Sequence, residues 1–231
     1  MDLSKLYKSE KTEFKGYKIP ACFELAGKCF DIVFDEEDKV RLDFIKCSEK
    51  EVKISGGIIH TYLCMKIAEN MYLVSLIVEN TCMTFVVDTE NNLGTRLLTD
   101  ESAKTEISLG IMADNNKDVR SIATDDFKGN SFEWTFGPEY INIVDIIYDD
   151  IISVTFPFLS TKTPDIEISD FSAVELAEGI YLQIAVVSVE GQTYSVVLAT
   201  NLNNLLCRGR VFGVHSDTVS HITIGGYGRA V

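Results

Sequence analysis

The sequence predicts an all-β protein in which antiparallel strands close into barrel-like units, with one unit written twice. Three observations carry this. Short runs rich in β-branched and aromatic residues follow one another with turn-length gaps. No segment longer than about ten residues keeps a helical period of 3.6. An ordered set of residues from the first half recurs, in the same order, in the second.

Along the chain, Leu25-Ala26-Gly27-Lys28-Cys29-Phe30-Asp31-Ile32-Val33-Phe34 reads as an opening strand, and the break Asp35-Glu36-Glu37-Asp38 ends it. His60 to Ile67 alternates, with His60, Tyr62, Cys64 and Lys66 on one face and Leu63, Met65 and Ile67 on the other. The runs MYLVSLIV and MTFVVDT flank Glu79-Asn80-Thr81, which has the length and residue types of a hairpin turn. Asp88 ends the second run as a turn-capping residue before Glu90-Asn91-Asn92. In the second half, Phe127-Lys128-Gly129-Asn130-Ser131-Phe132-Glu133-Trp134-Thr135-Phe136 repeats the apolar-x-Gly-x-x-Phe-x-x-x-Phe pattern of the opening strand. YLQIAVVSV and TYSVVLAT then flank Glu190-Gly191-Gln192, and Val219-Ser220-His221-Ile222-Thr223-Ile224 forms a terminal strand.

Further matches tie the halves together. Phe44 answers Phe156, Tyr62 answers Phe171, and Ala68-Glu69 answers Ala177-Glu178; Tyr72-Leu73 answers Tyr181-Leu182, and Asn92-Leu93 answers Asn204-Leu205. The period is far longer than that of solenoid or propeller repeats, so a domain is duplicated rather than an array stacked. Consecutive hairpins specify a meander, and closure removes its exposed edges. The halves divide near Ser121, as residues 1–121 and 122–231; one larger barrel with internal pseudo-symmetry is the alternative.

The opening pattern, Tyr62 with Ile67, the Tyr-Leu pairs and the closing apolar-Asp stretch resemble the MoaF family, named for its association with molybdenum cofactor genes. The ending from Phe212-Gly213 to Gly225-Gly226 is similar to that family's as well. The resemblance runs from about Phe23 onward. It implies two homologous calycin-like (lipocalin-type) halves, each enclosing a cavity along its axis. The Trp- and His-containing stretch in the middle of the family's second half has no clear counterpart here.

The charge of −14 repels phosphate backbones and anionic headgroups, so neither nucleic acid nor a membrane surface is an expected partner. No apolar run is long enough to cross a bilayer as a helix. The opening MDLSKLYKSEKTEFKGYK lacks the hydrophobic segment of a secretory signal, from which a cytoplasmic location is expected. The six cysteines are then reduced, with Cys29, Cys64 and Cys82 read as small buried hydrophobes. Without CxxC pairs or clustered histidines no metal site is expected, and no cofactor is assigned. GxSxG, GxxxxGK[ST] and HExxH are absent.

Function is therefore expected inside a barrel. If the face carrying Tyr62, Cys64 and Lys66 points outward, it is a solvated wall. If it points inward, a buried Lys66 has a lowered pKa and serves as base or Schiff-base amine, while a buried Glu175, on the matching face of the second half, has a raised one and serves as acid. Tyr62, Tyr72, Trp134, Tyr181 and His221 are the ligand-binding candidates, each with packing as its competing role. The leading expectation is a protein that binds a small apolar or aromatic metabolite in a barrel lumen. A close variant is a non-hydrolytic enzyme of isomerase, cyclase or lyase type. The alternative is an accessory or assembly protein of molybdenum cofactor biosynthesis acting through protein contacts. Whether the chain is catalytic is left open.

Overall fold

The computed structural model describes residue 19 and residues 22–34, 38–45, 51–112, 131–137, 140–146, 152–155, 166–189, 191–215 and 218–230. The described secondary structure is wholly strand. The first half contributes β1 (Cys29–Phe34), β2 (Lys39–Ile45), β3 (Glu51–Ile54), β4 (Ile59–Ala68), β5 (Met71–Val78), β6 (Thr81–Asp88), β7 (Leu93–Thr99) and β8 (Thr105–Met112). Each pairs antiparallel with the next, and β8 returns to β1 through Ile32↔Met112, Val33↔Ile111 and Phe34↔Gly110, closing a barrel.

The second half contributes β9 (Ser131–Gly137), β10 (Tyr140–Ile146), β11 (Ile152–Thr155), β12 (Ile166–Ala177), β13 (Ile180–Val189), β14 (Gln192–Asn201), β15 (Leu206–His215) and β16 (Thr218–Ala230). Their order is β11-β10-β9-β16-β15-β14-β13-β12. This is the order of the first barrel with a single junction, β11 to β12, unpaired among the described residues. Two separate sheets replace the alternative of one large barrel. Ser121, the expected division, lies outside the described residues, as does Phe156.

The registers carry the duplication to single residues. Lys66↔Tyr72 in β4–β5 has its counterpart in Glu175↔Tyr181, and both ladders slip before the next pair, Ala68↔Met71 and Ala177↔Ile180. The turns expected at Glu79-Asn80-Thr81 and Glu190-Gly191-Gln192 lie where the strands pair up to Val78↔Thr81 and Val189↔Gln192, so the third residue of each belongs to the following strand; Glu190 is outside the described residues. One match moves by a residue. Asp88↔Leu93 corresponds to Asn201↔Leu206, so Leu93 matches Leu206, and Asn92 (φ 55°) matches Leu205 (φ 53°) rather than Asn204. Hairpin length, not side-chain likeness, sets the register there.

Two kinds of core follow from the alternation. Inward side chains of the first barrel pack as one cluster that includes Ile32, Phe34, Leu42, Phe44, Val74 and Phe85. Edge-on ring contacts, such as Phe44–Tyr62 at 5.2 Å between centroids, hold it together. Beyond exposed Ile59 and Thr61 at the start of β4, much of the outward face of β4 to β8 is buried. Met65, Ile67, Met71, Leu73 and Val86 pack against Val174, Leu176, Ile180, Leu182 and Ala199 of the second sheet, which are their own counterparts. The two halves thus meet through the same wall.

Candidate functional site

At one end of the first barrel the turn at residues 22–28 folds across the opening. Gly27 N–H donates to Phe44 O at 2.7 Å and Phe44 N–H to Lys28 O at 2.9 Å, which brings fully buried Leu25 in as a plug. Gly27 takes the left-handed φ of 77° that this turn requires. Beside the plug Glu24 gathers two of the sequence candidates: Tyr72 Oη donates to Glu24 Oε2 at 2.6 Å, and Lys66 Nζ lies 3.1 Å from the same oxygen. Lys66 also pairs with Glu69 at 3.1 Å.

The face carrying Tyr62, Cys64 and Lys66 therefore points inward, with Tyr62 and Cys64 buried, but Lys66 reaches the rim and is 28% exposed. Its hydrogen bonds to Glu24 and Glu69 push its pKa up, so the depressed value of a buried catalytic amine does not arise. Glu24 is held low by the Tyr72 and Lys66 hydrogen bonds, and Tyr72 is raised by burial and by its bond to Glu24. The Cys22 thiol is lowered to about 6 by its hydrogen bond to Cys64, helped by the Glu24 backbone and the Lys66 charge. Cys29 corrects its expectation: it is exposed on β1, and burial of part of its surface and the Asp43 carboxylate raise it to about 11.

Towards the other end, Arg96 lies over the Phe34 ring at 4.5 Å, pairs with Asp38 and donates to Ser108 Oγ at 3.3 Å. The first lumen is a packed core with charged ends. A cleft of about 450 Å³ on the β1–β2 side is open to solvent and lined by Asp31, Lys39 and Arg41 among others.

The inner face of the second sheet uses the same lattice of positions with different chemistry. Tyr181 repeats Tyr72 and is buried. Buried Gln183 stands where the first barrel has Val74, and buried Thr200 where it has Val87. Ala173 replaces Cys64, Leu198 replaces Phe85 and Ala185 replaces Leu76. Trp134 replaces Ile32, and its indole covers Gly228, the counterpart of Met112. Trp134, Ala173, Tyr181 and Cys207 form one cluster, with Phe171 and Leu198 against it.

Beside this cluster one polar group is poorly satisfied, and a second is buried near it. Thr200 Oγ1 is buried, with no hydrogen-bond partner among the described residues beyond the weak thiol of its cross-strand neighbour Cys207, itself raised to about 12 by burial. Gln183 is buried on the same inner face, 7% exposed. A buried hydroxyl placed like that of Thr200 costs about 1–3 kcal/mol unless something meets it. Neither residue stands out in the sequence, because Gln183 and Thr200 read as ordinary strand polars until the register shows which face is interior.

The remaining candidates fall elsewhere. Glu175 is half-buried, opposite Tyr181, and is the counterpart of Lys66 on a different sheet rather than its partner. His221 lies neither in the first lumen nor on the inner face of the second sheet. It lies between the halves, Nε2 2.9 Å from Ser75 Oγ, and burial followed by the charge of Arg210 lowers its pKa to about 4. Asp88 caps its turn, accepting from Glu90 N–H at 3.2 Å and Asn91 N–H at 3.0 Å. Among the described residues no group of three or more His, Cys, Asp or Glu side chains is arranged to hold a metal ion.

Against known families, residues 12–100 match the model described as the MoaF N-terminal domain, a stretch that contains the plug and β1 to β7. No curated protein matches the chain.

Proposed function

We propose that this chain, with its MoaF N-terminal domain as a filled and rigid base, binds a small molecule on the inner face of the second half. The ligand class is a flat aromatic or largely apolar molecule with one polar edge. One observation supports the reading above the others: Gln183 and Thr200 bury polar groups where the first barrel has valines, and Thr200 Oγ1 has only the weak Cys207 thiol beside it among the described residues. An amide and a hydroxyl in an otherwise apolar face are the groups that orient a ligand. Phe171, Tyr181 and Trp134 supply ring surface around them. Ala173 and Ala185 make room where the first barrel has Cys64 and Leu76.

The test is native mass spectrometry of the freshly purified chain, with extraction and identification of what it carries. The identified molecule should raise the melting temperature of the wild type. Gln183→Leu and Thr200→Val should each weaken its binding by about 10-fold or more, the cost of losing one buried hydrogen bond to the ligand. If the protein carries nothing and both variants melt higher than the wild type without any added molecule, the two groups are structural misfits and the reading fails.

A further inference from the structure

The duplication is not exact at one rim of the second sheet. Val187↔Tyr194 is the counterpart of Val78↔Thr81, where the β5–β6 ladder ends, yet β13–β14 runs on through Ser188↔Thr193 and Val189↔Gln192. Phe212↔His221 is likewise the counterpart of Thr99↔Thr105, the last pair of β7–β8, and β15–β16 continues through Gly213↔Ser220, Val214↔Val219 and His215↔Thr218. Two neighbouring hairpins thus project beyond a module that closes without them in the first half. The β14–β15 ladder between them ends at Ser195↔Phe212.

Side chains join the projecting hairpins. Alternation from Thr200, Leu198 and Val196 puts Tyr194 on the inner face, and alternation from Cys207 and Val211 puts Gly213 and His215 there. The Tyr194 and His215 rings meet edge to face, with centroids 4.7 Å apart. Both lie over Gly213: a Cβ there would stand 2.7 Å from Tyr194 Cδ1 and 3.0 Å from His215 Nε2, so glycine leaves the pair its place. His215 Nε2 is buried and has no hydrogen-bond partner among the described residues. An orphan of this kind costs about 1–3 kcal/mol, here in a part of the sheet that the fold itself does not require. The Tyr194 ring against it is half-buried, and its hydroxyl is tied by an exposed hydrogen bond to Gln192 Oε1 at 2.7 Å.

We propose that Tyr194 and His215 form an outer subsite of the ligand face, where Tyr194 turns aside and Nε2 meets a hydroxyl at the far end of an elongated ligand. This rests on the reading of Gln183 given above as the inner polar contact. Gln183 lies across the ladder from Leu198, and Leu198 from Gly209, four residues before Gly213 along β15. The two polar points are therefore about 13 Å apart. Between them the inner face offers Ala185, Val196, Val211 and Ile222, an apolar track whose outer end is open, since Ile222 is 56% exposed. A hydroxyl both donates and accepts, so it satisfies an imidazole nitrogen whether or not that nitrogen carries the proton. A carboxylate would instead enter against the chain's charge of −14. The ligand class is thereby narrowed to an aromatic head with a polar edge, an apolar middle and a neutral hydroxyl end.

The test compares para-hexylphenol with the same molecule carrying a second hydroxyl at its chain end, whose two oxygens match that span when the chain is extended. Trp134, the one tryptophan of the chain, reports occupancy of the face by its fluorescence, excited beyond the phenol absorption. The wild type should bind the diol about 10-fold more tightly than para-hexylphenol, the worth of one buried hydrogen bond. In His215→Leu the two should bind equally, whereas Gln183→Leu should weaken both and keep their ratio. Tyr194→Ala, which removes the ring that has to turn aside, should speed association of the diol in stopped flow. Melting curves establish that the variants are folded, and the wild-type ratio stands as a test even if one is not. Equal binding of the two molecules by the wild type, with Trp134 responding to both, overturns the outer subsite and leaves the ligand face standing. So does a preference for the diol that survives His215→Leu. A Trp134 signal that answers to neither molecule removes the ligand face and the subsite with it.

Discussion

Arg210 is fully buried between the halves and surrounded by neutral groups. Nε donates to Thr84 Oγ1 at 3.1 Å, Nη1 to Ser195 O at 3.1 Å and Oγ at 2.9 Å, and Nη2 to Thr99 Oγ1 at 2.6 Å. Burial lowers its pKa, which expresses the cost of holding a cation there. Arg210→Ala should lower stability by about 2–4 kcal/mol, because it leaves a cavity and takes a hydrogen bond from each of four oxygens, while Arg210→Met, which fills the space, should cost less. Urea midpoints decide between them. His221 gives the pH dependence. Its folded pKa of about 4 is below the ordinary 6.5, so the unfolded chain takes up the proton first and stability falls as pH drops from 6.5 towards 4. The slope is bounded by about 1.4 kcal/mol per pH unit and is smaller here because the ring is partly hydrated. His221→Asn should flatten that limb in melting temperatures measured across the same range. Arg210 shares strand parity with Phe212, so alternation along the RGRVF stretch puts it on the same face as a buried aromatic.

At the scale of the strand, the ladder slip in β4 after Lys66 turns backbone groups away from β5 and towards the second half. The Ile67 carbonyl accepts from Asn201 Nδ2 at 3.2 Å, and the Lys66 carbonyl accepts from Arg208 Nη1. Close backbone approach also explains Gly209 on β15, where a Cβ would lie 1.8 Å from the Val197 carbonyl oxygen. Gly209→Ala should cost about 3 kcal/mol or more, since a backbone carbonyl in a ladder cannot step aside. Gly228→Ala should cost less, because it meets the Trp134 ring, a side chain with some freedom to shift. Far-ultraviolet circular dichroism against denaturant ranks the two. Strand existence and hairpin position were legible because period and turn residues are local signals. The slip after Lys66 and the face a strand buries were not, because both are settled by a wall contributed from the other half.

For the whole molecule, the wall shared by the halves is the largest apolar feature the sequence concealed. The alternation of Leu63, Met65 and Ile67 against Tyr62, Cys64 and Lys66 presents two faces that are both buried, one inside a barrel and one between the sheets. A single half-buried face is the usual case for an antiparallel sheet, which is why the strand read as ambiguous. Leu73→Asp and Leu182→Asp each put an unpaired carboxylate into this wall. Each should destabilise the chain by about 3–5 kcal/mol, and by similar amounts, since the residues are counterparts. Thermal unfolding of the two variants checks the equality as well as the loss. The duplication itself was legible from the aromatic and Tyr-Leu matches. The different filling of the halves was not, because it rests on Gln183 and Thr200, whose meaning depends on orientation.

The meeting of two like walls has a consequence for how such a protein can change over time. Two identical chains docked in this way are bound to a common sequence, so any change that hollows one interior hollows the other and weakens both. Joining the copies end to end releases that bond. One copy can then be selected for firmness alone, while its twin accumulates small and polar side chains at matching places, supported by a neighbour that no longer has to change with it.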